Sequence, residues 1–253
     1  MRPIEANTWQ GNTAMIATST QGFTGSLPWM AWPSGPSVGE PLDMEALQRH
    51  LTVIRHKHAA GQFMFRAGQP FRALHLIHVG SYKTCEVSDD GREKVSAFKM
   101  RGELVGADSI GLGSYACDAV ALEDSETWEL PYPAVMKAAT QIPGLQEQIH
   151  AAMAAEIRCD RSWMLLLSTL AAEPRVAAFL IDIAARQARM GYSAKHFILR
   201  MSRLDIASFL AIKHETVSRA LSHLADLNYI SVQRREVRVL DADALRDMAC
   251  AAA

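Results

Sequence analysis

The sequence predicts an α+β protein with an N-terminal antiparallel β-barrel or jelly roll, a long helix and a C-terminal winged helix-turn-helix. Three observations predict this fold. Short apolar runs separated by glycines fill about residues 61–133, and apolar residues recur at helical spacing over 144–170. After residue 202, two short helical patterns precede an alternating β-hairpin pattern. The 253 residues suffice for two domains, which we expect to have separate cores.

Composition and charge indicate a globular protein and argue against a membrane-spanning or secreted one. The chain is 49% hydrophobic and 21% charged, as in ordinary globular proteins. No apolar run approaches the roughly 18 residues of a membrane span, and Met1–Gly39 lacks the layout of a secretory signal. We therefore expect a cytoplasmic protein that does not bind membranes. Residues 1–169 carry 14 basic against 18 acidic residues and residues 170–253 carry 12 against 9, so the C-terminal third favours a polyanionic partner.

The N-terminal half divides into a polar segment and the predicted barrel. Residues 1–40 are rich in Gly, Ser and Pro, so we expect poor order there, with tryptophans such as Trp9 as isolated apolar anchors. Helical spacing of apolar residues predicts a helix from Leu42 to about Ile54. Asp89-Asp90-Gly91 predicts a hairpin turn between two strands. The barrel domain is expected to span residues 41–142.

A long helix is expected to occupy residues 143–170. Its apolar residues recur at three, four or seven positions and form one stripe. Such a stripe is either a coiled-coil dimer seam or a face that packs on its own barrel, and the pattern alone leaves both open. The candidate dimerisation residues are Ile149, Met153, Ile157, Asp160 and Met164.

The C-terminal domain, residues 171–253, is predicted to contain a helix-turn-helix. A helix over 175–190 is closed by Gly191, and Ser202 with Asp205 three residues later forms the pattern of a capping box. Ala207 is small enough for two helices to cross closely there. Ala211 occupies the turn position that usually holds glycine.

The second helix of this motif presents polar side chains suited to reading DNA. Glu215, Ser218 and Arg219 fall at i, i+3 and i+4, on one face near the start of the helix. Arg can pair with guanine, Glu can accept from cytosine, and Ser can serve a base or a phosphate. The alternative is a solvated face with a Glu–Arg ion pair. Expected phosphate contacts come from the helix start and from the hairpin tip: His214, Thr216, Arg234 and Arg235.

These motifs resemble the CRP/FNR superfamily of transcription regulators, and the FNR branch in particular, over about residues 42–240. The resemblance rests on Glu215-x-x-Ser218-Arg219, on the barrel segment 102–111 (GELVGADSIG) and on the helix segment 156–168 (EIRCDRSWMLLLS). It implies a cyclic-nucleotide-binding-like barrel, a homodimer whose helix includes Ile157 and Asp160, and recognition of palindromic TTGAT-type half-sites. RNA polymerase is an implied partner, and the resemblance implies an activator rather than an enzyme.

The residues depart from the family at its usual effector sites. FNR proteins bind a [4Fe–4S] cluster through three N-terminal cysteines and one in the barrel. Here no cysteine precedes Cys85, and Trp128 occupies the barrel position. We therefore expect no such cluster, and no other metal or cofactor. Gly102-Glu103 matches the start of a cyclic-nucleotide pattern, but residues 114–120 contain no cation for the phosphate, so cyclic nucleotides are disfavoured.

Other interpretations stay open. A thiol-redox regulator of the same superfamily would use Cys85, Cys117 or Cys159. A cupin-type metal enzyme would use His56-x-His58, although no acidic ligand follows at the usual distance. A protein-binding module would use the long helix and would retard no DNA. A haem- or nitric-oxide-responsive regulator would take a ligand from Cys85 or from the barrel histidines His50, His56, His58, His75 and His78.

Overall fold

The computed structural model describes residues 44–87, 91 and 93–250. The N-terminal segment 1–40 and the hairpin residues Asp89 and Asp90 lie outside these residues. The strands on either side of that hairpin, 81–87 and 93–100, pair antiparallel as the turn pattern predicted.

The first helix is shorter than predicted. It spans Met44–His50 (α1), and Ile54 begins a strand instead of ending the helix. The β-branched run Thr52-Val53-Ile54 favours extended backbone, and pairing with a distant strand outweighs the helical spacing. His56 and His58 therefore lie on a strand rather than near a helix end.

The N-terminal domain is an open jelly roll of two four-stranded antiparallel sheets rather than a closed barrel. We keep the name barrel for this domain. The strand orders of the two sheets are β1-β8-β3-β6 and β2-β7-β4-β5. The strands are β1 Ile54–His58, β2 Phe63–Phe65, β3 Ala73–Val79, β4 Ser81–Val87, β5 Glu93–Met100, β6 Leu104–Val105, β7 Asp118–Ala121 and β8 Ser125–Pro131.

Aromatic side chains fill the space between the two sheets. The rings of Phe65 and Tyr115 stack at a centroid distance of 3.8 Å. The Tyr115 hydroxyl donates to the carbonyl of Ala73 at 2.9 Å. Tyr82 and Ile77 complete this buried cluster.

The long helix matches its prediction closely. After α2 (Tyr132–Ala139), α3 spans Leu145–Thr169, and Gly144 precedes it with φ 80°. Its first turns pack on the chain's own barrel, since Leu145 and Ile149 are buried there. Among the described residues, no helix combines the length and apolarity that crossing a bilayer requires.

The described part of the C-terminal domain contains four helices and a small sheet of order β10-β11-β9. Gly191, with φ 82°, closes its first helix as predicted. The elements are α4 Ala172–Arg189, β9 His196–Ile198, α5 Arg203–Leu210, α6 His214–Asp226, β10 Ile230–Gln233, β11 Glu236–Val239 and α7 Ala242–Cys250.

The expectation of separate cores is wrong. Phe98 of β5 contacts Phe179 of α4 and Phe209 of α5, and Trp163 of α3 contacts the same Phe209. One apolar cluster therefore joins the barrel, α3 and the C-terminal domain. The cause is that β5 buries Val95, Phe98 and Met100 against these helices rather than in the cluster between the two sheets.

Candidate nucleic-acid interface

Helix α5 begins with the predicted capping box. The Asp205 backbone N–H donates to Ser202 Oγ at 3.1 Å, and the Ser202 N–H donates to the Asp205 carboxylate at 2.9 Å. Two of the helix's unpaired N–H groups are thereby satisfied. Lys83 of the barrel also donates to Asp205, at 2.8 Å, so the start of α5 is held from outside its own domain.

The turn between α5 and α6 is tight and strained. Ala211 has φ 54° and ψ 44°, in the left-handed region that glycine favours. The Ile212 N–H donates to the carbonyl of Ala207 at 3.0 Å, which closes the turn. Ala207 is buried, as its predicted place at the helix crossing requires.

Helix α6 separates a buried face from an open one. Val217, Leu221 and Leu224 are buried, whereas Glu215, Ser218 and Arg219 are all exposed. The sequence therefore identified correctly which side of this helix faces solvent.

The exposed side chains of α6 bond weakly within the helix. Arg219 Nη2 donates to Thr216 Oγ1 at 3.4 Å rather than to Glu215, and the Glu215 carboxylate lies 3.3 Å from His214 Nδ1. Ser218 Oγ donates to the His214 carbonyl at 3.2 Å. Such long exposed contacts cost little to exchange for contacts with a base edge or phosphate.

The hairpin forms a wing with two arginines at its tip. Gln233 pairs with Glu236, which leaves Arg234 and Arg235 as the turn, both exposed. Arg234 has φ 56°. Arg235 Nη1 donates to the Arg200 carbonyl at 3.3 Å.

Sequence reasoning missed one residue of this surface, Arg203. Its Nη2 donates to the carbonyl of Arg234 at 3.1 Å, so the first turn of α5 holds the tip of the wing. The available signal was a cation at a helix N-terminus, where the helix dipole favours acidic residues.

The candidate dimerisation residues divide by burial. Ile149 is buried in the chain's own core, and Met153 packs at the edge of that core. Asp160 is exposed. Partial desolvation of its carboxyl, together with the nearby Glu156 carboxylate, raises the pKa of that carboxyl. Ile157 and Met164 are 51% and 69% exposed, so the apolar part of the stripe that remains open lies in the middle and C-terminal turns of α3.

The cysteines do not fit a four-thiolate site. Cys85 and Cys117 are buried in the barrel, Cys159 lies on α3 and Cys250 on α7. Burial raises the pKa of Cys85 and of Cys159 to about 12, so both thiols stay protonated at neutral pH. In the part of the chain that the structure describes, no three His, Cys, Asp or Glu side chains are grouped to hold a metal ion.

Four of the barrel histidines named above, His56, His58, His75 and His78, make contacts that bear on a ligand role. His56 contacts Glu129 at 2.8 Å, His58 contacts the Tyr82 hydroxyl at 3.0 Å, and His75 contacts the Tyr115 hydroxyl at 3.1 Å. His78 stacks on Trp128 at 4.2 Å. Burial lowers the pKa of His75 to about 4.

The Glu103 carboxylate of the Gly102-Glu103 pair is bound by a residue of the C-terminal domain. Both carboxylate oxygens of Glu103 accept from Arg186 Nη2, at 2.9 and 2.7 Å, and Arg186 belongs to α4. Tertiary contacts therefore engage this carboxylate with α4, and the expectation that cyclic nucleotides are disfavoured stays a prediction.

Comparison with known proteins supplies the family. Residues 174–248 match the model of the Crp-like helix-turn-helix domain, and residues 55–141 match that of the cyclic nucleotide-binding domain. The chain is 37% identical to the transcriptional activator protein Anr of Pseudomonas aeruginosa over 181 residues, which are 72% of this chain and 74% of that protein. The chain belongs to the CRP/FNR family of transcription regulators.

Other relatives agree with this assignment. The fumarate and nitrate reduction regulatory protein of Escherichia coli is 34% identical over 75% of this chain and 76% of its own length. The structure of FixK2 from Bradyrhizobium japonicum matches with a TM-score of 0.71 and 26% identity, covering 80% of this chain and 100% of that one. The CRP/FNR protein described here is a DNA-binding regulator, and membership of this family excludes the cupin-type enzyme.

Proposed function

We propose that this CRP/FNR protein acts in the cytoplasm as a homodimer that binds a palindrome of TTGAT-type half-sites. The observation that carries the proposal is the exposure of Glu215, Ser218 and Arg219 together on one face of α6. Helices of this kind enter the major groove with their N-terminal residues toward the bases.

The chemistry of these three side chains fits the half-site. The Arg219 guanidinium can donate two hydrogen bonds to guanine O6 and N7, and the Glu215 carboxylate can accept from cytosine N4. A G·C pair lies within TTGAT. Ser218 adds a short hydroxyl that reaches a base or a phosphate, and Arg234 and Arg235 bring positive charge to the flanking backbone.

A twofold dimer would present two such helices to one palindrome. Exposed Ile157 and Met164 on α3 support a helix-to-helix seam, since large apolar side chains on a helix face are stabilised by burial against a partner. Half-sites then lie about one turn of DNA apart.

The signal that acts on the barrel is neither a [4Fe–4S] cluster nor a cyclic nucleotide. The scattered, protonated thiols support the first exclusion, and the packed Phe65–Tyr115 pair and the engagement of Glu103 by Arg186 support the second. The high pKa of Cys85 and Cys159 also argues against a thiol switch at those residues. Three alternatives stay open: a haem- or nitric-oxide-responsive regulator, a thiol switch at Cys117, and an effector of unknown kind. Titration with haem followed by absorbance tests the first of them.

Activation through contact with RNA polymerase completes the proposal. Anr of Pseudomonas aeruginosa is named a transcriptional activator. Transcription in vitro from a promoter carrying the palindrome, with and without the protein, tests this step.

Electrophoretic retardation of a TTGAT-N4-ATCAA duplex by aerobically purified protein tests the DNA site. We expect binding that a scrambled duplex does not compete away, and binding in air would also show independence from an oxygen-labile cluster. Equal retardation of both duplexes would contradict the proposed half-site. A random-sequence selection would then identify the true one.

A further inference from the structure

Arg186 lies at a buried junction between the barrel and the C-terminal domain. The residue is 9% exposed. Its Nη2 donates to the Phe98 carbonyl at 2.6 Å and to Glu103, and both acceptors belong to the barrel. Its Nη1 lies 3.5 Å from Asp182, one turn earlier on α4. One side chain thus ties α4 to β5 and to the turn that follows it.

A second ion pair brings α3 to the same place. Lys99 of β5 donates to Glu156 of α3, and both lie beside the Arg186 cluster. Titratable or charged groups face Asp182 from three parts of the molecule. The barrel contributes Lys99 and Glu103, α3 contributes Glu156, Cys159 and Asp160, and α4 contributes Arg186 and Arg189. The residue of α5 at this place, Phe209, is apolar.

The junction is not optimised for stability. Two polar atoms in it, Asp182 Oδ1 and Arg186 Nε, have no hydrogen-bond partner among the residues that the structure describes. Buried ion pairs are often neutral to stability when compared with apolar side chains of similar volume. The planar fork of an arginine, however, imposes direction on its acceptors, which apolar packing does not. The arrangement therefore fixes the angle between α4 and the barrel and adds little to the free energy of unfolding.

Helix α4 connects this junction to the reading helix. Val176, Phe179 and Leu180 of α4 belong to the same buried cluster as Val217 and Leu221 of α6. Because packed helices move as rigid bodies, a rotation of α4 about Arg186 would carry α6 with it.

We propose that Arg186 is a positioning residue for DNA binding, which through Glu103 and the Phe98 carbonyl fixes the winged domain on the barrel and so sets the spacing between the two reading helices of a dimer. The inference rests on the proposed palindrome binding. Loss of the junction would leave each helix able to read a half-site but would add an orientational cost to reading two at once.

The test uses Glu103→Gln and Arg186→Met, with Asp243→Asn and Arg246→Met as matched controls at the exposed Arg246–Asp243 pair on α7. Affinity is measured on palindromes with N3, N4 and N5 spacers and on a duplex with one half-site. We expect the ratio of affinity for the N4 palindrome to affinity for the N3 and N5 palindromes to fall about tenfold in the junction variants. Their affinity for the single half-site should stay within about twofold of the wild-type value. The control variants should behave as wild type.

A hydrogen-exchange measurement without DNA checks the cause. The Val95 N–H of the barrel donates to Ser208 Oγ of α5 at 2.9 Å, so its protection reports on docking of the two domains. We expect this amide to exchange faster in Glu103→Gln, with the amides of α6 unchanged.

Two results would overturn the inference: an unaltered spacer preference in both junction variants, or a parallel loss of half-site and palindrome binding, which would indicate a purely structural role. If wild type ignores TTGAT altogether, the proposed half-site fails instead. The same spacer series is then built on the half-site recovered by selection.

Discussion

Ala211 adopts a backbone conformation that is costly for every residue that carries a Cβ atom. With φ 54° and ψ 44°, the residue is held by the flanking helices and by the bond from Ile212 to Ala207. The left-handed region costs a residue with Cβ about 1–2 kcal/mol. The helix-turn-helix therefore carries strain that its own packing offsets.

Ala211→Gly should relieve this strain. We expect the free energy of unfolding to rise by about 1 kcal/mol, measured by urea denaturation, because glycine adopts positive φ without steric cost. Ala185→Gly, at a half-buried position in the interior of α4, is the matched control and should lower it by about 1 kcal/mol. A destabilised Ala211→Gly variant would show that the turn is not strained.

Arg219 is the residue on which sequence specificity should depend most. Arg219→Ala should weaken binding to the preferred site by about 1–3 kcal/mol and relax discrimination at one base pair. Arg234→Ala should instead weaken all sequences alike and reduce the salt dependence of binding. Quantitative retardation on single-base variants at several salt concentrations separates the two. Equal losses across all sequences for Arg219→Ala would place it on the backbone instead.

At the scale of elements, α3 changes its environment along its length. Its first turns complete the core beneath the barrel, whereas Ile157 and Met164 remain exposed further along. The sequence presented one continuous stripe, so its two possible roles could not be separated by spacing. Burial by the barrel separates the part of the stripe that packs within the chain from the part that stays open for the proposed dimer seam.

Met164→Glu should dissociate the dimer. A buried charge without a partner at a helix-to-helix seam is strongly unfavourable, so we expect the dissociation constant to rise at least tenfold in analytical ultracentrifugation. Leu240→Glu, at an exposed apolar residue after the wing, is the control and should leave assembly unchanged. A Met164→Glu protein that stays dimeric would place the seam elsewhere.

At the scale of the whole molecule, the shared core and the Arg186 junction make the two domains one mechanical unit. Burial raises the pKa of Asp182 in this junction to about 6, from an ordinary value of 3.8. A carboxyl of this kind contributes stability that is present at low pH and is lost as pH rises through about 6. His75, with a pKa lowered to about 4, acts in the opposite sense, since its contribution is lost as pH falls from 6.5 toward 4.

Because these two groups oppose each other, the pH effect of Asp182 is best measured as a difference. The free energy of unfolding of wild type relative to Asp182→Asn should increase as pH falls from 6 to 4, by up to about 1.4 kcal/mol per pH unit. Urea denaturation at several pH values gives this difference. A difference independent of pH would mean that Asp182 ionises in the folded protein as it does in water.

The sequence by itself determined the order of the elements, the helix caps and the exposed face of α6. Ser202 with Asp205, Gly191, the Arg234-Arg235 turn and the alternation of buried and exposed residues in α6 depend on local geometry, which neighbouring residues specify. For the same reason, the positions of Glu215, Ser218 and Arg219 on one face could be predicted from spacing.

Only the tertiary structure decided which elements share a core and which charges meet. Ile54 lies in a strand because β1 pairs with β8, and Glu103 accepts hydrogen bonds from Arg186, 83 residues away. The wing tip is likewise held by Arg203, 31 residues before it. Such contacts arise between residues far apart in the chain, and the free energy of burying them together leaves no periodic trace in the sequence.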